Sequence, residues 1–155
     1  QNHALANTRA RLRMLTLYYF ASLNNYIVVG TGNKVEDFAI GFFTKYGDGG
    51  VDISPIADLT KSEVYKLAKH LEIDKTIVNA NPTDGLWDDN RSDEQQIGAS
   101  YDEIEWVMEQ KKNGKNSADF KGRVQEVFKI FEEHHSNNKH KMTSIPVCII
   151  PEELK

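Results

Sequence analysis

The residues that could do chemistry are concentrated in one stretch, residues 30–61, which reads GTGNKVEDFAIGFFTKYGDGGVDISPIADLTK. It combines isolated lysines, carboxylates and glycines, and glycine lets bare backbone come close to a bound partner. A few well-placed lysines and backbone amides are enough to bind phosphate groups. The stretch therefore predicts a binding site for a small anionic ligand.

A short apolar run comes directly before this stretch. Tyr26-Ile27-Val28-Val29 ends in Gly30, which predicts a buried parallel strand. Thr31 and Asn33 then occupy the carboxyl end of that strand. In open α/β sheets ligands bind at this edge, because the loops splay apart and the next helix offers its N-terminus to anions.

Two capping signals predict helix starts. Thr60-Lys61-Ser62-Glu63 and Ser100-Tyr101-Asp102-Glu103 both match the capping-box pattern. The first predicts a helix to about His70 with a buried face of Val64, Leu67, Ala68 and Leu71, and the second predicts a helix with Ile104, Val107 and Met108 inward. Lys61 then stands in a first turn, where a cation is unfavourable unless an anion is nearby.

Two longer helices are expected on either side of these. Residues from about 7 to 23 predict one with Ala10, Met14, Leu17 and Ala21 inward, and residues from about 118 to 134 predict another with Val124, Val127, Phe128 and Phe131 inward. Arg11 lies on a different face of the first helix. Arginines in such places more often pack their stem and leave the guanidinium in solvent, although its planar fork suits a phosphate or carboxylate.

Bulk composition narrows the class of protein. The 155 residues fit one domain, with 39% hydrophobic and 27% charged residues and a net charge of −4. This charge argues against sequence-independent nucleic-acid binding, and no apolar run approaches the length of a membrane span. The single Cys148 cannot form an intramolecular disulfide, so we expect a reducing compartment, the cytoplasm.

The spacing of the candidate ligands argues against both a calcium site and a zinc site. The acidic run of residues 84–94 resembles a calcium loop, but Asp93 stands where the EF-hand turn needs glycine. His134, His135, His140 and Cys148 match no tetrahedral zinc pattern. Neither reading is favoured.

Several motifs in colinear order resemble the NAD synthetase family of ATP-pyrophosphatase amide ligases. They are ANTRARLRM, GTGNKVE, GFFTKYGDGG, DISPIADLTK, NANPTDGLWDD, SDEQQIGASYDE and NKHKM. The resemblance implies a Rossmann-like, doubly wound parallel α/β sheet of the adenine-nucleotide alpha-hydrolase type. The Ser-Gly-Gly-x-Asp-Ser phosphate loop of that family does not occur here. We therefore expect residues 1–155 to be the C-terminal part of a single NAD synthetase domain, inactive on its own.

The resemblance also implies ligand contacts. By matching positions, those for deamido-NAD are Arg11, Lys45, Asp52, His140 and Lys141, those for ATP are Thr31, Lys61 and Thr83, and the magnesium ligand is Glu36. Asp93 and Glu94 are further possible ligand contacts in a mobile loop, residues 82–94, that folds over ATP. Four residues separate Glu36 from Gly41, where several family members have three. Because one position turns a helical side chain by about 100°, Asp37 is the alternative metal ligand.

The activity implied by the resemblance is amide formation. ATP adenylates the nicotinate carboxylate of deamido-NAD, and ammonia then displaces AMP in a magnesium-dependent homodimer whose deamido-NAD site lies at the subunit interface. The sequence has no Ser-His-Asp or Cys-His constellation, so we expect catalysis by positioning and electrostatics. Two alternatives stay open: the synthetase part of a glutamine-dependent enzyme, and a non-catalytic nucleotide-binding or dimerisation module.

Overall fold

The computed structural model describes residues 2–155, and most of them are helical. The α-helices are α1 (Asn2–Asn24), α2 (Lys61–His70), α3 (Lys75–Val78), α4 (Asp93–Ile97), α5 (Tyr101–Lys112) and α6 (Gly122–Met142). A π-helix spans Lys34–Ile40, and short 3-10 helices span Ser117–Asp119 and Glu152–Leu154. Within residues 2–155, no helix has both the length and the apolar character needed to cross a membrane.

Strand pairing in the described residues is limited to one parallel bridge between Val29 and Ile53. The Gly30 amide donates to the Ile53 carbonyl over 2.7 Å, and the Asp52 amide donates to the Val28 carbonyl over 2.9 Å. The doubly wound sheet is therefore not confirmed in this part of the chain. Val28 is buried as expected, but Tyr26, Ile27 and Val29 are more than half exposed, because the segment is paired on one side only.

The main core lies between the π-helix, α5 and α6. Its completely buried side chains are Val35, Ile40, Ile104, Val107 and Phe128. The ring of Phe120 stacks on Phe128 with 4.8 Å between centroids. A smaller cluster, in which Ala6 and Ala10 of α1 contact Leu86, joins the first helix to the loop of residues 82–92.

The π-helix accommodates the four residues between Glu36 and Gly41. Asn33 caps its start by accepting bonds from the Val35 and Glu36 amides, and Gly41 closes its end by donating to the Glu36 carbonyl, five residues back. A π-turn contains one residue more than an α-turn, and such turns are frequent at functional sites. A π-turn therefore spans Glu36 to Gly41.

Local signals predicted helix starts better than they predicted burial. Both capping boxes are confirmed at Thr60 and Ser100, and Ile104 and Val107 are buried. The predicted buried face of α2 is wrong, since Leu67 and Leu71 are 39% and 60% exposed. The reason is that α2 packs mainly against α3 and α5 and is otherwise uncovered.

The two long helices differ from their predicted bounds. Helix α1 begins at Asn2, and its predicted core residue Leu17 is exposed, whereas Ala10 and Ala21 are buried. Helix α6 begins at Gly122, after the short 3-10 helix, and continues eight residues beyond His134 to Met142. Val124 is 38% exposed, although Val127, Phe128 and Phe131 face inward as predicted.

Replacing Gly41 with alanine tests how tightly the π-helix end is fixed. Gly41 has φ +62°, and a Cβ there would lie 2.5 Å from Cβ of Asn138 on α6. We expect Gly41→Ala to cost about 1–2 kcal/mol from the left-handed backbone and about 1–3 kcal/mol more from the collision. Urea unfolding of the full-length protein measures this loss.

Gly114→Ala is the matched control, because Gly114 has φ +75° but nothing within 4 Å of an added Cβ. It should lose only the backbone contribution. Equal losses in the two variants would show that the end of the π-helix is not held against α6.

Candidate functional site

One group of polar side chains meets at a place where four helices begin. Lys61, Asp93 and Tyr101 are the first residues of α2, α4 and α5, and Glu36 lies in the first turn of the π-helix. We call these four residues the carboxylate–lysine cluster. The N-terminus of a helix carries a partial positive charge and free amide donors, so this convergence favours negative groups.

The cluster is joined by short contacts. Lys61 Nζ lies 2.8 Å from Glu36 Oε1, and these two side chains are only 18% and 15% exposed. The Tyr101 hydroxyl lies 2.5 Å from the same Glu36 oxygen and 3.3 Å from Asp93 Oδ2. Lys61 Nζ also lies 4.8 Å from the centre of the Tyr101 ring, within cation–π range.

The cluster holds two carboxylates against one lysine. Burial, and next the negative charge of Glu36, raise the pKa of Asp93 above its usual value, while Lys61 opposes the shift. Burial and the nearby Glu36 carboxylate likewise raise the pKa of Tyr101. Asp93 Oδ1 is buried and has no hydrogen-bond partner. A further cation would therefore be favourable here.

The donors present fit magnesium only if the substrates supply part of its shell. Within residues 2–155, no group of three or more His, Cys, Asp or Glu side chains is arranged to hold a metal ion. Magnesium commonly binds one or two carboxylates and takes its other ligands from phosphates and water. A single carboxylate from Glu36 suits that mode.

A second group of functional candidates surrounds the turn of residues 41–50. Arg11 of α1 donates to the Lys45 carbonyl at 3.2 and 3.3 Å. Lys45 Nζ donates to the His140 carbonyl over 2.8 Å, and Lys141 Nζ donates to the Phe43 carbonyl over 2.7 Å. The last two hydrogen bonds hold the end of α6 against this turn. Four of the predicted deamido-NAD residues therefore lie close together: Arg11, Lys45, His140 and Lys141.

The fifth predicted deamido-NAD residue, Asp52, is anchored beside the bridge. Its Oδ2 accepts from the Val28 amide over 2.7 Å, and its Oδ1 accepts from the Tyr18 hydroxyl over 3.0 Å. Tyr18 belongs to α1, which also carries Arg11. Asp52 therefore faces the same helix as the turn does.

A cavity of about 170 Å³ lies between the bridge end, the turn and α6. Asp37, Asp48 and Lys141 supply its charged groups. Burial, and next the charges of Glu36 and Asp48, raise the pKa of Asp37 from 3.8 to about 7, while Lys141 opposes the shift. A Cβ on Gly32 would lie 1.8 Å from Asp37 Oδ2, so the carboxylate fills the space that a side chain at position 32 would need.

The two adjacent carboxylates of the π-helix, Glu36 and Asp37, thus have different neighbours. Glu36 contacts Lys61 and Tyr101, whereas Asp37 lines the cavity with Lys141. Sequence reasoning left the choice between these two carboxylates open for the metal. Of the two, only Glu36 belongs to the carboxylate–lysine cluster.

The other predicted ATP contacts are not gathered around Lys61. Thr31 is exposed, and the Thr83 hydroxyl is used inside its own loop, donating to the Arg91 carbonyl and accepting from the Gly85 amide. This loop lies against α1, where Arg13 donates to the Asp84 and Gly85 carbonyls at 2.9 Å each.

The sequence patterns did not indicate a role for three residues that make contacts at the candidate site: Arg9, Arg13 and Tyr101. Arg9 and Arg13 hold the loop to α1, with Arg9 donating to the Leu86 carbonyl over 2.6 Å. Tyr101 was assigned no role, although its position directly after the Ser100 cap fixed it to a helix start. Only its contact with Glu36, 65 positions away, reveals the connection.

Comparison with known proteins identifies a family. A family model described as NAD synthase matches residues 1–145. The NH(3)-dependent NAD(+) synthetase of Carboxydothermus hydrogenoformans is 40% identical over 144 residues, which is 93% of this chain and 55% of that protein. The same enzyme of Mesoplasma florum is 44% identical over 135 residues, 87% of this chain and 52% of the relative. The chain spans about half the length of the curated relatives it matches.

Two solved structures share the fold. An NMN synthetase from Francisella tularensis has a TM-score of 0.79 at 34% identity, with 98% of this chain and 58% of that chain covered. An NH3-dependent NAD synthetase from Campylobacter jejuni has a TM-score of 0.69 at 26% identity, with 94% and 56% covered. The chain therefore has the fold of the corresponding part of these synthetases.

The raised pKa of Asp37 gives a stability prediction. Below pH 3.8 the carboxyl is protonated in both folded and unfolded states, and between 3.8 and about 7 only the folded state keeps the proton. The Asp37 carboxyl should therefore lower the stability of the wild type as pH rises through this window, and Asp37→Asn should lack this part of the pH dependence. Because Asp37 is partly exposed, we expect the variant to gain about 1–2 kcal/mol relative to wild type above pH 7.

Urea unfolding at pH 4.5 to 8, with EDTA present, measures this difference in the full-length protein. Asp58→Asn is the control, since Lys34 holds the pKa of Asp58 below its ordinary value and its contribution changes only in more acidic solution. A stability difference for Asp37→Asn that stays constant with pH would contradict the burial of Asp37.

Proposed function

The chain belongs to the NAD synthase family, and from that premise we propose that the full-length protein is an amide ligase that converts deamido-NAD, ATP and ammonia to NAD, AMP and pyrophosphate. The observation that carries the proposal is the meeting of four helix starts around Lys61 and Glu36. The helix starts favour phosphate, whereas the carboxylates of Glu36 and Asp93 favour a metal cation beside it. The cations Lys45 and Lys141 lie where the turn of residues 41–50 meets the end of α6, and a second nucleotide would bind there.

The proposed nucleotide roles follow from the charges already present. Glu36 would hold Mg²⁺, which when bound neutralises phosphate charge during adenylation of the nicotinate carboxylate. Lys61, now paired with Glu36, would donate to an ATP phosphate instead. Thr31 and Thr83 are proposed as further ATP contacts, which requires the loop of residues 82–92 to move.

The second substrate would use donors that the contacts of this structure leave free. Lysine has three donors and arginine five, so Arg11, Lys45 and Lys141 each retain some after bonding to a carbonyl. These groups, with Asp52 and His140, are the proposed contacts of deamido-NAD. Catalysis then comes from bringing two polyanions together and stabilising the developing charge.

We also propose that the chain is the C-terminal part of a single synthetase domain and contributes to a doubly wound parallel sheet. The parallel bridge and the exposed apolar side chains of Tyr26, Ile27 and Val29 support this, because the helices on both faces of such a sheet would cover them. The chain alone would then lack the phosphate loop and be inactive.

A cytoplasmic homodimer is the proposed assembly. Helix α1 exposes Leu12, Leu15, Tyr19 and Phe20, each more than half accessible, and apolar surface of this kind is typical of a subunit interface. Arg11 lies on the same helix. The exposed free thiol of Cys148 is consistent with a reducing compartment.

A second candidate function has a specific observation in its favour. Of the two solved structures described above, the NMN synthetase has the higher TM-score. The corresponding reaction would amidate nicotinate mononucleotide with the same adenylation chemistry. It would need the same ATP site but fewer contacts to the substrate's second nucleotide half.

A substrate comparison tests the proposed function. Full-length protein with ATP, Mg²⁺ and ammonium should convert deamido-NAD to NAD, with AMP and pyrophosphate formed in equal amounts, as followed by chromatography. Glutamine in place of ammonium should give no product. Preferred conversion of nicotinate mononucleotide would favour the second candidate, and failure with both dinucleotide and mononucleotide would overturn the ligase assignment.

Lys45→Ala tests the deamido-NAD contacts. Removal of a charge-assisted hydrogen bond costs about 1.5–3 kcal/mol, so the KM for deamido-NAD should rise by about tenfold or more while the KM for ATP changes little. Lys112→Ala, at an exposed pair with Glu109 on α5, is the control and should leave both values unchanged. An unchanged KM for deamido-NAD in Lys45→Ala would remove this residue from the site.

A further inference from the structure

The Tyr101 hydroxyl lies between two carboxylates inside the carboxylate–lysine cluster. It is 2.5 Å from Glu36 Oε1 and 3.3 Å from Asp93 Oδ2, and the residue is only 6% exposed. A phenol has one proton to donate, so it can serve one carboxylate at a time. The shorter distance assigns that proton to Glu36.

The two donors of Glu36 share one oxygen. Lys61 Nζ and the Tyr101 hydroxyl both contact Oε1, and Oε2 receives neither bond. Two donors on one oxygen restrain the orientation of the carboxylate, and they leave its second oxygen without a bond from either donor. Oε2 of Glu36 is therefore the oxygen that can bind a cation.

The two donors differ in how firmly they are held. Lys61 reaches Glu36 from the start of α2 only through its terminal ammonium group, and the proposed function moves that group to a phosphate. Tyr101 is anchored by its buried ring and by its amide, which donates to Glu94 Oε1 over 2.9 Å. When Lys61 leaves, Tyr101 is the donor that remains on Oε1.

We propose that Tyr101 is a positioning residue that keeps Glu36 oriented for the divalent cation while Lys61 turns to the nucleotide. This inference rests on the proposed function for the movement of Lys61. The rigid phenol preorganises the carboxylate, so that cation binding does not have to order a free glutamate side chain.

Tyr101→Phe in the full-length protein is the test, because it removes the hydroxyl and keeps the ring. Mn²⁺ serves as the probe, and its affinity is measured by electron paramagnetic resonance in the presence of a non-hydrolysable ATP analogue. We expect Mn²⁺ to bind about tenfold more weakly and the Mg²⁺ concentration for half-maximal activity to rise about tenfold. The KM for deamido-NAD and the melting temperature should change little.

Tyr65→Phe is the matched control, since Tyr65 lies on α2 outside the cluster; it should leave Mn²⁺ affinity unchanged. In a Glu36→Gln background, Tyr101→Phe should cause no further loss of Mn²⁺ affinity. A full additional loss there would overturn the inference, because Tyr101 would then act through another group.

The remaining outcomes separate the inference from the proposed function. Unchanged Mn²⁺ affinity in Tyr101→Phe, or a general loss that includes the KM for deamido-NAD and the melting temperature, would overturn the positioning role. A wild-type protein that forms no amide product, yet loses Mn²⁺ affinity tenfold in the variant, would overturn the proposed function and support the positioning role.

Discussion

The ion pair between Lys61 and Glu36 is the interaction on which the candidate site depends. It joins the start of α2 to the π-helix across 25 positions, at 2.8 Å and with both side chains largely buried. Removing one partner of such a pair leaves an uncompensated charge, which is strongly destabilising. The pair therefore balances the cluster in the ligand-free protein. Under the proposed function, phosphate and a divalent cation would replace each partner with a stronger one.

The π-helix determines which neighbours its two carboxylates, Glu36 and Asp37, contact. Its Asn33 cap and Gly41 end fix a seven-residue segment whose apolar side chains Val35 and Ile40 are completely buried. Because the core holds these side chains in place, Glu36 meets α2 and α5 while Asp37 faces α6. Under the proposed function, Glu36 would therefore face ATP and the metal, and Asp37 would face the cations that would bind the second substrate.

The sequence allowed prediction of those features that depend on neighbours a few residues apart. The caps at Thr60 and Ser100 each involve a partner three residues later, so their patterns were sufficient. The burial of Leu67 and Leu71 was predicted wrongly, because it depends on which elements cover α2. The polar run after His134 gave no sign that α6 continues, although this continuation brings Lys141 to Phe43. Periodicity could not reveal the contact between Tyr101 and Glu36, since it joins different elements of the fold.

The most direct measurement is a crystal structure of the full-length protein with Mn²⁺ and an ATP analogue, with the metal located by anomalous scattering. We expect a Mn²⁺ peak about 2 Å from Glu36 Oε2, with Lys61 Nζ moved from the carboxylate to a phosphate oxygen. A peak on Asp37 instead, or a Lys61–Glu36 pair left intact beside bound nucleotide, would contradict it.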